Sequence, residues 1–412
     1  MKRRKYLLAC LLAGVTIAMP TGQLSFAAGA QNDISLMAES ESQSESETQS
    51  ESQSESQSES ETQSESQSES QSESETQSES QSESQSESET QSESQSESEK
   101  ESETETQDPN VPEGYKGIYK VSDLSLLSSK PDGKYMLMAD LDLSSAEQAS
   151  ISVFRGTLDG NNHTIKGLKH ALFQVLEEGT VSNLNLSSVQ ISGSGDAGAL
   201  ANVIGTGKKS AVTIQNITIT GNVTGTGNTG ALAGVLKGTD VVISRIANSA
   251  TVAGTANAGG LIGLVQATDD QEGAASVKLT ESYNIGEVSA VTAGGLIGAA
   301  EIPNLAAARN IEIANCYNAG VLEKGANIVA KITAGNSQVV INKCVGIQFY
   351  YSVASGMVGT STMAAGSTQT SGCSISNSYY YSMNPVYAFE TGNCITGTAT
   401  ALNDVEIGRA HV

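Results

Sequence analysis

Ala231-Leu232-Ala233-Gly234, Gly260-Leu261-Ile262-Gly263 and Gly295-Leu296-Ile297-Gly298 are three copies of one glycine-flanked apolar tetrad. Looser copies are Ala199-Leu200-Ala201-Asn202, Asn327-Ile328-Val329-Ala330 and Gly356-Met357-Val358-Gly359. Their second residues, Leu200, Leu232, Leu261, Leu296, Ile328 and Met357, stand 32, 29, 35, 32 and 29 positions apart. A period of about 30 residues marks one supersecondary unit stacked on copies of itself.

Each unit opens with a β-branched run, as in Val212-Thr213-Ile214, Val241-Val242-Ile243, Ile311-Glu312-Ile313 and Val339-Val340-Ile341. Such short, alternating or wholly apolar runs suit strands of a buried parallel sheet. A second short strand follows, as in Gly221-Asn222-Val223-Thr224 and Gly286-Glu287-Val288, and the tetrad is read as a third. Three strands and three turns per unit predict an all-β chain, a parallel β-helix of six to seven coils. Helical repeats are disfavoured because the units are rich in glycine and lack a 3.6-residue period.

Stacking predicts ladders of like residues, with windings ~4.8 Å apart. The six tetrad residues form one ladder. Leu184, Ile217, Ile246, Ser282, Cys316 and Cys344 form another, and Asn248, Asn284 and Asn318 hold a position where a carboxamide can bond to its copy above and below. Glycines at the tetrad edges are expected to supply positive φ at tight corners. Before the repeats, residues 111–180 read as an N-terminal cap and first coil. A short helix over Ser122–Ser128 is expected there, N-capped by Ser122, followed by an alternating strand over Lys134–Leu143.

The rest of the chain has a different composition. Residues 1–30 carry Lys2, Arg3, Arg4 and Lys5, then a 14-residue apolar run from Tyr6 to Met19, the pattern of a secretory signal. The run is short for a membrane span, and no later stretch is long enough. Residues 31–110 are a spacer dominated by Ser, Glu, Gln and Thr, in which Thr48, Thr62, Thr76, Thr90 and Thr104 recur every 14 positions. From Glu39 to Thr106 this segment sums to −21 of the chain's −24, so the acidity describes the spacer and not the repeats at 181–404. With no apolar residue from Ser40 to Gln107, it cannot bury a core and is expected to be disordered and extended. Its dense hydroxyls make O-glycosylation an alternative role. Residues 407–412, Ile-Gly-Arg-Ala-His-Val, read as a translated sequencing adapter, so the natural frame is expected to continue.

Asn315-Cys316-Tyr317-Asn318-Ala319-Gly320-Val321 and Ser282-Tyr283-Asn284-Ile285-Gly286-Glu287-Val288, the latter followed by Ala-Gly-Gly-Leu-Ile-Gly, resemble GLUG-motif repeats. The entry segment, Met138-Ala139-Asp140-Leu141-Asp142-Leu143 and then Gly156-Thr157-Leu158-Asp159-Gly160-Asn161-Asn162-His163-Thr164-Ile165, resembles the opening of such domains. The resemblance implies a bacterial surface or secreted β-helix. Such repeats occur in bacterial immunoglobulin A metallopeptidases and in large adhesins.

Chemistry is sparse. The three histidines, His163, His170 and His411, form no His-Glu-x-x-His pair, so peptidase activity is not carried over by the resemblance. Asp140, Asp142, Arg155, Asp159 and His163 are the best local acid–base set, and a structural role is favoured, with Asp159 making an Asx-type turn. Phe349-Tyr350-Tyr351 and Tyr379-Tyr380-Tyr381 suggest a sugar platform or, preferably, an aromatic ladder between coils. Cys316 and Cys344 would lie within disulfide reach if stacked, but the apolar character of their ladder favours buried free thiols. No metal, cofactor, nucleotide or nucleic-acid site is expected. The leading expectation is a non-enzymatic, cell-surface β-helix acting in adhesion or as a stalk. Its partners, by family analogy, are host glycoprotein, glycan or matrix, or the bacterial cell wall. The alternative is the N-terminal fragment of a larger surface metallopeptidase or polysaccharide-active enzyme.

Overall fold

The computed structural model describes residues 108–401 apart from 148, 207–209, 268–274, 305–307, 349–352, 366, 368, 370, 383–394 and 398. The expected signal segment at 1–30, nearly all of the acidic spacer, the final six residues, Phe349, Tyr350, Tyr351 and Cys394 lie outside the described residues.

The described residues form three parallel sheets of 20, 5 and 8 strands, the architecture of a parallel β-helix. One winding illustrates the plan. Ala211–Gly225 is a long bent strand, Thr229–Gly230 a two-residue strand and Ala233–Leu236 a third. In the next winding Ile214 registers with Ile243, Val223 with Val252, Gly230 with Gly259 and Leu236 with Val265. A one-residue slip would turn Ile214 and Val223 out of the core. Branched residues therefore set the pairing as well as the burial. The eight-stranded sheet takes one strand from each winding, from Ile151–Phe154 to Val358–Met363. At ~4.8 Å per strand it is about 34 Å deep.

The tetrads behave differently from the expected third strand. Each apolar second residue sits in the bend that precedes it, and the strand begins one residue later, at Ala233, Ile262, Ile297 and Val329. Backbone bonds run between windings at the bend itself. Leu232 N donates to Leu261 O at 2.9 Å, Leu261 N to Leu296 O at 2.9 Å and Ile328 N to Met357 O at 3.0 Å. Leu200, Leu232, Leu261, Leu296, Ile328 and Met357 are all fully buried there.

The corner glycines also act otherwise than expected. None of the tetrad glycines falls in the left-handed region. What excludes a side chain is close approach: a Cβ on Gly260 would meet Gly295 O at 2.1 Å, and one on Gly295 would meet Asn327 O at 2.1 Å. The left-handed corner lies elsewhere, at Asn183, Asn216, Arg245, Glu281, Asn315, Lys343 and Asn377, one per winding, with φ of 48–56°. Asparagine tolerates this conformation because its side chain bonds locally; Arg, Glu and Lys do so at a cost.

The entry end is covered by a 3-10 turn, Val121–Leu124, and a short helix, Ser125–Ser129, which bury Leu124 and Leu127. Asp123, not Ser122, caps this segment. Its Oδ2 accepts the Tyr119 amide at 3.0 Å and the Lys120 amide at 3.2 Å. A carboxylate inside the first turn reaches back to the orphan donors and also suits the local dipole. The predicted strand Lys134–Leu143 is split into Lys134–Leu137 and Leu141–Asp142. Asp140, in the break, accepts the Thr164 amide instead of pairing as a strand. Phe154 stacks on Phe173 at 4.8 Å between ring centroids, filling the first windings.

Candidate functional site

The entry-segment acids and bases are spent on joining windings. Asp140 Oδ1 accepts the Thr164 amide at 2.8 Å and lies 3.1 Å from His163 Nδ1, and these two contacts lower its pKa. Asp142 bonds Ser144 at 2.9 Å and Lys166 Nζ at 2.9 Å, and together they hold its carboxyl well below the usual range. Arg155 bridges Asp132 at 3.0 Å and Glu177 at 2.7 Å. Asp159 closes an Asx turn onto the Asn161 amide at 2.8 Å and accepts Asn183 Nδ2 at 3.0 Å from the next winding. Apart from Asp140 with His163, no two of the five share a bond, so the set is not assembled as an acid–base pair around a common point. Among the described residues no group of three or more His, Cys, Asp or Glu side chains could hold a metal ion. No helix among them is long and apolar enough to cross a membrane.

From Asp159 a polar ridge climbs the left-handed corners. Asn183 Oδ1 accepts Asn216 Nδ2 at 2.7 Å, Asn216 Oδ1 accepts Arg245 Nε, and Arg245 Nη1 donates to Glu281 Oε2 at 3.4 Å. Beside it runs the outward column Asn185, Thr218, Ala247, Tyr283, Tyr317, Val345 and Tyr379. Its character changes from polar to aromatic along the stack. Tyr283 and Tyr317 pack face to face at 4.8 Å with planes 8° apart, and Tyr379 is 43% exposed. The expected aromatic ladder joined the wrong residues. Tyr379, Tyr380 and Tyr381 register with Val345, Gly346 and Ile347, four residues short of the earlier tyrosine run. The pair that does stack carries a signal in the sequence, the shared Tyr-Asn of Tyr283-Asn284 and Tyr317-Asn318 within the GLUG-like motifs.

Inside, those asparagines form a buried amide ladder. Asn248 Nδ2 donates to Asn284 Oδ1 at 2.7 Å, and Asn284 Nδ2 to Asn318 Oδ1 at 2.9 Å. The ladder ends on Asn327 Oδ1, which accepts both Asn318 Nδ2 and Gln348 Nε2. Each ladder amide also closes its own turn, as Asn284 does with the Gly286 amide and carbonyl. Cys316 and Cys344 occupy successive windings of the Leu184–Ile217–Ile246–Ser282 column and, like Cys373, are buried free thiols. Burial pushes the Cys316 thiol up and that of Cys373 up to about 12. An open cleft of about 480 Å³ lies at the entry end, lined by Leu143, Glu147, Leu168, His170 and Leu172 among others.

Comparison with known proteins adds a second line of observation. Residues 115–221 match the family described as the M26 IgA1-specific metallo-endopeptidase N-terminal region. The chain is 34% identical over 116 residues to the immunoglobulin A1 protease of Streptococcus sanguinis, covering 26% of this chain and 6% of that protein. It is 35% identical over 116 residues to the immunoglobulin A1 protease of Streptococcus pneumoniae, with the same shares. Halomucin of Haloquadratum walsbyi is 32% identical over 124 residues, 24% of this chain and 1% of that protein. The chain thus aligns with only a small fraction of each relative's length. Among solved structures, a candidate immunoglobulin A1 protease from Bacteroides ovatus is 19% identical with a TM-score of 0.47, covering 72% of this chain and 86% of that one. A structure described as IgA1 protease is 21% identical with a TM-score of 0.39, covering 60% and 21%.

Proposed function

We propose that this chain is the β-helical, non-catalytic part of a larger exported protein related to bacterial IgA1 proteases, built from GLUG-like repeats. The β-helix acts as a stiff lateral surface for adhesion or presentation. Its partners are host glycoprotein, glycan or matrix, or the bacterial cell wall. The match of residues 115–221 to the N-terminal region of that peptidase family carries this reading. The bonds that tie Asp140, Asp142, Arg155 and Asp159 into neighbouring windings support a scaffold role for this part of the chain. Export follows from the charged and apolar leader.

The whole protein's chemistry, on this reading, belongs to a region other than these repeats. Two measurements test it. The full reading frame should contain a His-Glu-x-x-His domain outside these repeats; further repeats ending in a surface anchor, with no such domain, would favour the stand-alone adhesin instead. The chain itself, incubated with immunoglobulin A1, should leave the heavy chain intact on a gel. Cleavage by the chain, lost on replacing Asp159, would refute the non-catalytic assignment.

A further inference from the structure

We propose that Cys316 and Cys344 are an oxidisable pair that cross-links two successive windings. The sheet register brings them together. Tyr317 pairs with Val345, and the Val345 amide donates to the Cys316 carbonyl at 3.0 Å. Corresponding residues of adjacent parallel strands stand about 4.8 Å apart at Cα, inside the ~4.4–6.8 Å window a disulfide spans. Both thiols are fully buried. Among the described residues the other cysteine, Cys373, stands in a different column, opposite Val339 and Ile395.

The flanking windings show what this position needs for folding alone. Ser282 Oγ donates to Thr280 O at 2.7 Å and Ser378 Oγ to Ser376 O at 2.8 Å. Cys316 Sγ and Cys344 Sγ repeat the contact, to Ala314 O at 3.2 Å and Asn342 O at 3.4 Å. A small side chain with one proton to donate satisfies the site, and serine does so. Two thiols in succession add one capacity that serine lacks, oxidation to S–S.

The oxidant is a small-molecule disulfide, RSSR. One cysteine thiolate attacks it, forms a mixed disulfide and releases RSH. The second thiolate attacks the protein sulfur of that mixed disulfide and releases the other RSH. Two electrons pass from the pair to the reagent, and the two thiol protons leave on the released RSH molecules. Because both sulfurs are buried in the finished fold, exchange takes place while the windings close.

The experiment is to refold the full chain with glutathione disulfide as the probe, denature it without reductant, count free thiols and map the alkylated peptides. The expected result is a fall from five free thiols to three, with one linked species joining the Cys316 and Cys344 peptides. Reductant added after denaturation should restore the count. Cys344→Ser, which reproduces the residue of the neighbouring winding, should keep the far-ultraviolet circular dichroism spectrum and lose the linked species. A map with Cys316 and Cys344 both alkylated, or either joined to another cysteine, overturns the proposal.

Discussion

Replacing Asn284 with alanine opens the buried amide ladder at its middle. Asn284 accepts from Asn248 Nδ2 at 2.7 Å and from the Gly286 amide at 3.1 Å. It donates to Asn318 Oδ1 at 2.9 Å and to the Gly286 carbonyl at 3.0 Å. The effect is not four lost bonds of equal weight. Asn248 keeps its bonds to Ala250, and Asn318 Oδ1 keeps the Gly320 amide. The Gly286 amide and carbonyl lose the amide that closes their turn, in a place sealed from solvent. At ~1–3 kcal/mol for each of these two buried groups left without a partner, the expected loss is about 2–6 kcal/mol. The assay is urea unfolding of the full chain followed by circular dichroism, with the midpoint as the readout. Asn257→Ala is the control, since Asn257 is half-buried and its side chain donates to Asn228 Oδ1 at 2.8 Å. It should cost under ~1.5 kcal/mol, the net worth of an ordinary hydrogen bond. If Asn284→Ala unfolds at the same urea concentration as Asn257→Ala, the ladder is not stabilised by buried amide bonding and the reasoning fails.

Three further outcomes are expected. Leu261→Ala, at a fully buried corner, should lower stability by ~2–5 kcal/mol through lost burial and a cavity, read from the same urea curves; a change below 1 kcal/mol would mean the corner collapses freely. Lys343→Asn should raise the melting temperature, gaining up to ~1 kcal/mol because asparagine tolerates the left-handed corner that lysine occupies at φ 53°; an unchanged or lower melting temperature would count against strain there. Asp140 has its pKa lowered from 3.8 by the Thr164 amide and His163. A depressed carboxylate contributes stability that is fully present above 3.8 and is lost as pH falls through the lower folded value. Hydrogen exchange at the Thr164 amide should therefore quicken below that pH in the wild type, and the step should be absent in Asp140→Asn.

The repeats were readable because their chemistry is periodic. Leu232, Leu261 and Leu296 recur at nearly one interval, and branched runs such as Val241-Val242-Ile243 mark buried strands wherever they sit. The amide column was readable for the same reason, since Asn248, Asn284 and Asn318 lie at one point of the repeat. The candidate site was less so. Asp140, Asp159 and His163 are close in sequence, yet their partners come from other windings or from backbone amides that no side-chain pattern marks. The tyrosine pairing failed because the windings differ in length. Spacing alone put Tyr379–Tyr381 over Phe349–Tyr351, whereas pairing puts them over Val345–Ile347.

Residue order therefore carries the fold class and the columns of strictly repeated residues, such as the tetrad leucines and the ladder asparagines, because each follows from local chemistry repeated along the chain; the eight windings of the eight-stranded sheet exceed the six to seven expected. Three things come only with assembly: the register between windings, the corner where left-handed backbone is placed, and the glycine contacts that exclude a Cβ. Each is set by atoms of neighbouring windings about thirty residues away. Hydrogen bonds between turns of unequal length fix which residues face each other, and a single strand read alone has no access to them.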